Sequence, residues 1–163
     1  MKIKKIVQLS MLTAIMVVLS YIESLFPILN GIVPGFKLGI GNIIVIITLY
    51  LYSFKEAFYV SILRIFVISI LKTGFSITFL FSFLGTILSI STMTIAKKTK
   101  LSIIGVSIVG AIFHNVGQII IAVLILNINM IYYLPILLLL SLFTGTIIGI
   151  ISKEIIPEIK NLI

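Results

Sequence analysis

From its first residues onward the chain alternates long apolar runs with short connections that carry lysines, and six such runs fill almost all of its 163 residues. Each run is continuous rather than alternating, and most exceed the length of a buried strand, so the pattern predicts helices that are apolar on every side. Measured against the ~20 residues a helix needs to cross a hydrocarbon layer, the runs predict membrane spans over residues 6–25, 38–52, 57–71, 75–96, 103–126 and 132–151. The second and third are short. At roughly 1.5 Å per residue they need flanking residues to reach across, and a re-entrant hairpin is the structural alternative to two true spans. The expected fold is an all-α integral membrane protein: one domain over residues 1–163, with six transmembrane helices in a single bundle. No soluble domain, interdomain linker or internal repeat interrupts it.

Composition sharpens this. The chain is 61% hydrophobic and 10% charged, too little polar surface for a water-soluble domain of this length. Twelve cations against four glutamates would suggest nucleic acid in a soluble protein, but here the cations sit between spans and report orientation instead. Lys2, Lys4, Lys5, Lys55, Lys97, Lys98, Lys100, Lys153 and Lys160 fall on one side and Lys37 and Lys72 on the other, with Arg64 inside a span. The positive-inside rule then predicts both termini in the cytoplasm of a multi-pass protein of the cell membrane. The lysine-led start has the outline of a secretory signal, yet no small-x-small cleavage site follows it and five further spans do, so the first helix is expected to be uncleaved. Without cysteine there is no disulfide framework, thiol nucleophile or thiolate metal site.

Ionisable groups inside apolar helices are costly and point to function, which singles out Arg64, His114 and Glu23. Arg64 lies about 10 Å into the third helix, counted from its cytoplasmic end at 1.5 Å per residue. His114, Asn115 and Gln118 form a polar stripe on the fifth helix. Glu23 closes the first helix on the outer side, where Asn42 opens the second just after Lys37. Each has a simpler reading too: Arg64 pairing with Glu23 or a helix-end carbonyl, the stripe bonding helix to helix, Lys37 and Lys72 as solvated anchors, and Tyr132-Tyr133 as an interfacial aromatic belt. A single histidine with no second histidine or carboxylate at ligand spacing argues against a metal site.

The connection over residues 26–37 carries Pro27, the Pro34-Gly35 pair and six apolar residues. It is expected to fold back over the bundle as a lid or to lie in the interfacial region of the bilayer. Small residues recur at four-residue spacing, Ser10 and Ala14 in the first helix and Ser141, Gly145 and Gly149 in the sixth. Such faces allow close approach either within the bundle or to a partner membrane protein.

Four ordered motifs carry a resemblance: Pro34-Gly35-Phe36-Lys37-Leu38-Gly39-Ile40-Gly41-Asn42-Ile43, then Ser61-Ile62-Leu63-Arg64, then His114-Asn115-Val116-Gly117-Gln118, then Tyr132-Tyr133-Leu134-Pro135 with Thr144-Gly145. Over nearly its whole length the chain resembles the Gx transporter family, whose members are labelled heptaprenyl diphosphate synthase component I. Gly41 and Ser141 stand where that family's pattern has alanine and glycine. The family is similar to the substrate-binding S components of energy-coupling factor (ECF) transporters. The resemblance implies an outward-facing ligand pocket covered by the first loop, with a transmembrane coupling protein and two ABC-type ATPases as partners. Ser10 and Ala14 stand in the position of the small-residue docking motif.

Chemistry tests the synthase label. Prenyl chain elongation needs magnesium held by aspartate-rich motifs, and this chain contains no aspartate. It has no phosphate-binding loop with its lysine, so ATP hydrolysis would belong to another chain. The expectation is a non-enzymatic, cofactor-free, substrate-binding subunit for uptake of a small amphipathic or anionic molecule. Glu23, Lys37, Asn42, Arg64, His114, Asn115 and Gln118 are its candidate pocket residues. The alternative is a noncatalytic membrane accessory or scaffold for a prenyl diphosphate synthase or a redox system. A self-sufficient secondary transporter is less favoured, because neither an inverted repeat nor a buried acidic relay is visible.

Overall fold

A computed structural model describes residues 3–25 and 39–162, and among them every regular element is helical. The order is α1 (Ile3–Leu25), α2 (Asn42–Leu51), α3 (Phe54–Ile68) extended by a π-helical turn (Ser69–Thr73), α4 (Ile77–Lys98), α5 (Ile103–Ile125), then a 3₁₀ segment (Ile128–Tyr133) leading into α6 (Leu134–Leu162). Four of the six are long and apolar enough to cross a membrane: α1, α4, α5 and α6 with its 3₁₀ lead-in. The two helices expected to be short are short. α2 has 10 residues, and α3 has 15 with five more in its π turn.

The surface is that of a molecule in lipid. Leu124, Ile70, Leu139 and Phe143 lie exposed, whereas Thr48, Ser61, Ser141 and Ser152 are completely buried. Within this inverted arrangement α2 is central. Seven consecutive residues, Ile43–Leu49, are buried on all sides, as expected of a helix hydrophobic all round. α2 packs against α1, α3 and α6, α5 lies between α4 and α6, and α3 touches α4, so the bundle closes around α2.

Two kinds of contact hold it. Among α4, α5 and α6 the helices approach through glycine. A Cβ on Gly117 would come 2.7 Å from Gly85 Cα, one on Gly145 2.8 Å from Ile108 Cα, and one on Gly149 2.7 Å from Ile104 Cα. The small face of α6 therefore packs inside the bundle, one of the two uses its spacing allowed. Ser10 and Ala14 on α1 are exposed instead, beside Val7, Met11 and Val18. Along α1 and α3, which run parallel, the contacts are polar: Lys5 Nζ to Glu56 Oε1 at 2.5 Å, Arg64 Nη1 to Ser20 Oγ at 3.4 Å, and Lys72 Nζ to Ser24 O at 2.5 Å. Tyr52, between α2 and α3, adds a bond from its hydroxyl to Gln8 Oε1 at 2.9 Å.

The sixth helix corrects the sequence reading. It was expected to stop at 151, where Lys153 and Glu154 end the apolar run, yet it continues to Leu162. Ile156 is buried, and Ile155 and Ile159 pack on the core at the lysine-rich end, so the 3.6-residue period outlasts the apolar span. The end of a membrane span is not the end of a helix.

Two predictions follow from these contacts. Valine at Gly145 or Gly149 must push against backbone, so each variant should lose about 2 kcal/mol in reversible unfolding, while Gly105→Ala, whose new Cβ meets nothing nearer than 3.5 Å, should stay within about 0.5 kcal/mol of the parent. Glu56, outside the apolar spans, receives bonds from Lys5 and the Ser53 hydroxyl, which hold its carboxyl down from 4.5 to about 2. A carboxylate with a depressed folded-state pKa stabilises above its unfolded value, and that contribution is lost as pH falls from about 4.5 through about 2. Solvent screening keeps it under about 1 kcal/mol. Melting curves across that window should show a steeper decline for the parent than for Glu56→Gln.

Candidate functional site

The ends of α2 begin the site. In a helix this short, with seven of its ten residues buried, the unsatisfied terminal N–H and C=O groups have little access to water and need partners in the protein. At its start the amides of Asn42, Ile43 and Ile44 bond the carbonyls of Gly39, Ile40 and Gly41. That moves the unmet donors back to Gly39 and Ile40, and Glu23 of α1 takes both: Gly39 N donates to Oε1 at 2.5 Å and Ile40 N to Oε2 at 3.1 Å. At the other end Lys97 of α4 donates to Leu49 O at 2.8 Å, its ammonium 4.7 Å from the Tyr50 ring centroid. A carboxylate at the N-terminal end and an ammonium at the C-terminal end both match the helix dipole.

Glycines shape the entry to α2. Gly39 has φ +80°, a left-handed conformation that a side chain would strain. A Cβ on Gly41 would sit 2.5 Å from Ser20 Oγ, so this glycine admits the serine that bonds Arg64.

Above α2, on the Glu23 side, a narrow cleft opens, with ≈ 550 Å³ of empty space counted out to its open mouth. All six helices line it. Glu23 comes from α1, Asn42 with Gly39 and Gly41 from the start of α2, Arg64 from α3, Ser82 from α4, Ala111, His114, Asn115 and Gln118 from α5, and Thr144 and Ile148 from α6. The structure thus brings six of the seven candidate side chains to one cavity. The seventh, Lys37, and the expected lid over residues 26–37 lie outside the described residues. A smaller chamber continues toward the lysine-rich end between Ile46, Ser89, Met93, Ser107 and Gly110, sharing Asn42, Ala111 and Ile148 with the first.

The side chains differ in how much capacity they retain. Asn115 is committed to helix packing, its Nδ2 donating to Ser141 Oγ at 2.7 Å and Leu137 O at 3.3 Å, so the interhelical bonding foreseen as its simpler role is present. Gln118 Nε2 lies 3.4 Å from His114 Nε2, one turn away on the same face. The His114 ring lies against Gly85, where a Cβ would stand 3.1 Å from its Nδ1 and Cε1. Arg64 is not ion-paired: among the described residues no carboxylate oxygen lies within 4.0 Å of it. Its Nε is buried without a hydrogen-bond partner there, and its contact to Ser20 is long. Lys72 bonds Ser24 through both the carbonyl and the hydroxyl and is absent from the cleft. No three His, Cys, Asp or Glu side chains gather among the described residues.

Sequence reasoning missed Ser82, a hydroxyl in an apolar run with nothing to mark its direction. It also gave Glu23 a ligand-binding role without its bond to the α2 entry, and read Lys97 only as a topological charge. Replacing Glu23 by Ala should cost roughly 1–3 kcal/mol, because two half-buried donors lose their acceptor; Glu23→Gln, which retains one acceptor oxygen, should cost less than half as much in the same unfolding assay.

The family model described as heptaprenyl diphosphate synthase component I matches residues 12–155. That is most of the chain, and the chain belongs to this family. No curated protein and no solved structure matches it.

Proposed function

Starting from that membership, we propose that the protein is a membrane-embedded substrate-binding subunit that captures a small molecule and passes it inward when a separate ATP-hydrolysing module drives the bundle. The observation that carries this reading is convergence: polar side chains from every helix meet in one cleft, at the end of the bundle away from the lysine-rich end. Polar groups inside a membrane bundle otherwise tend to pair off singly between helices. By the positive-inside rule the lysine-rich end would face the cytoplasm and the cleft would lie toward the outer side, which suits capture from outside the cell membrane. Being narrow, the cleft must widen to admit a solute, so binding is coupled to movement of the helices that line it.

The family's description, a first component of a synthase, implies a second component as partner. With no aspartate the chain lacks the means to hold the magnesium of prenyl transfer, so within such an assembly its role would be noncatalytic. The similarity to ECF S components implies instead a transmembrane coupling protein and two ABC ATPases, with the exposed Ser10 and Ala14 of α1 as part of the docking face. Copurification from native membranes separates the two: ATPase subunits support the transport reading, and a prenyl synthase with no ATPase replaces it.

The binding reading itself is tested on the purified protein with a panel of vitamins and isoprenoid precursors. At least one should raise the melting temperature, and Arg64→Ala and His114→Ala should each weaken that effect at least tenfold in apparent affinity, a loss of about 1.4 kcal/mol. A ligand bound equally well by both variants would remove the cleft from consideration.

A further inference from the structure

Arg64 has a charge that the protein balances only in part. The chain contains four acidic side chains, Glu23, Glu56, Glu154 and Glu158, and residues 26–38 contribute none. Glu56 is bound to Lys5 and Ser53 at the lysine-rich end. Glu154 and Glu158 lie on the last turns of α6, whose isoleucines pack at that same end. Glu23 is thus the one carboxylate near the cleft, and both its oxygens already accept backbone amides.

A guanidinium presents five N–H donors in a planar fork. That of Arg64 engages a single hydroxyl at 3.4 Å, with Nε unpartnered among the described residues, while lining a cavity alongside the amides of Asn42 and Gln118. Arg64 is half-buried with its Nε closed off from solvent, and a charge held there with so few bonds is expensive in the empty protein, so a ligand that brings oxygens to it recovers that expense as affinity.

Resting on the binding-subunit reading above, we infer that the solute held in this cleft carries an oxyanion, a carboxylate or a phosphate, whose oxygens complete the hydrogen bonding of Arg64. The planar fork donates to two oxygens side by side, and Asn42 and Gln118 line the same cavity and can fix the remainder of the molecule. A cationic solute is disfavoured, because Arg64 repels it and Glu23 is committed to the entry of α2.

The test uses the full chain in a maltoside detergent, free of lipid phosphate, with unfolding followed by circular dichroism since the chain has no tryptophan. The probes are inorganic phosphate, sulfate, butyrate and hexanoate, at ionic strength matched with chloride. At least one oxyanion should raise the melting temperature saturably by several degrees while chloride does not. Arg64→Met should abolish that shift and, without anions, melt at or above the parent, since it removes a poorly paired, half-buried charge. Arg64→Lys should retain a weakened response, and it carries the test if the methionine variant misfolds.

An undiminished shift in either variant overturns the inference. Stabilisation of parent and Arg64→Met alike by a neutral solute such as pyridoxine, with no response to any oxyanion, overturns it and leaves the binding-subunit reading standing. Silence toward anionic, neutral and cationic solutes removes both. An Arg64-dependent shift given by added phosphatidylglycerol but by no soluble anion supports the oxyanion contact and assigns it to a lipid headgroup, against a captured solute.

Discussion

The bundle depends on satisfying the two half-buried ends of a ten-residue helix whose middle is sealed inside the protein. Backbone N–H and C=O groups left unpaired in an apolar interior each cost as much as a lost hydrogen bond or more, and both ends of α2 lie partly withdrawn from solvent. Glu23 of α1 meets the first end and Lys97 of α4 the second. Each charge has the sign the helix dipole favours, so one pair of contacts sets the height of α2 and ties α1 and α4 to it. With α2 seated this way, its entry residues Gly39, Gly41 and Asn42 become the floor of the cleft.

This arrangement divides labour among groups that the sequence presents as equals. Glu23, Asn42, Arg64, His114, Asn115 and Gln118 all read as polar intrusions in apolar helices. In the structure Glu23 and Asn115 are largely occupied in holding backbone and neighbouring helix. Among the described residues Arg64 retains unused donors, and it lies on α3 one turn and a half before that helix changes to π winding at Ser69. A π turn near a helix end is a frequent companion of functional sites, and here it carries Lys72, which bonds Ser24 of α1.

Much of this was legible beforehand for a simple reason: in lipid, apolar run length and helix length are nearly the same quantity. α1, α4 and α5 fell within a few residues of their expected bounds. The exceptions arise where the two quantities part. Ile155, Ile156 and Ile159 extend α6 past its last apolar stretch because they cover the core at a helix end among charges, and the sequence offers only periodicity as a signal there. The cavity was legible as a set of polar types but not as a division of roles, because whether a carboxylate serves a ligand or a backbone amide depends on where a second helix begins. Lys97 shows the same limit: counted with the topological lysines, it also caps a helix from which it is 48 residues distant in sequence.

The bundle's two kinds of contact give it unequal stiffness. α4, α5 and α6 meet backbone to backbone through Gly85, Gly117, Gly145 and Gly149, a fit that fails with even a small displacement. α1 and α3 are held to each other by long side chains, Lys5, Arg64 and Lys72, which can follow a sliding partner without letting go. The cleft lies along the seam between these sets, crossed by the contacts of α3 with α4 and of α2 with α6. Work done on the exposed face of α1 would thus be absorbed by shear at that seam and not by deformation of the glycine-locked trio, so the cavity walls, of all the parts of the molecule, would yield first.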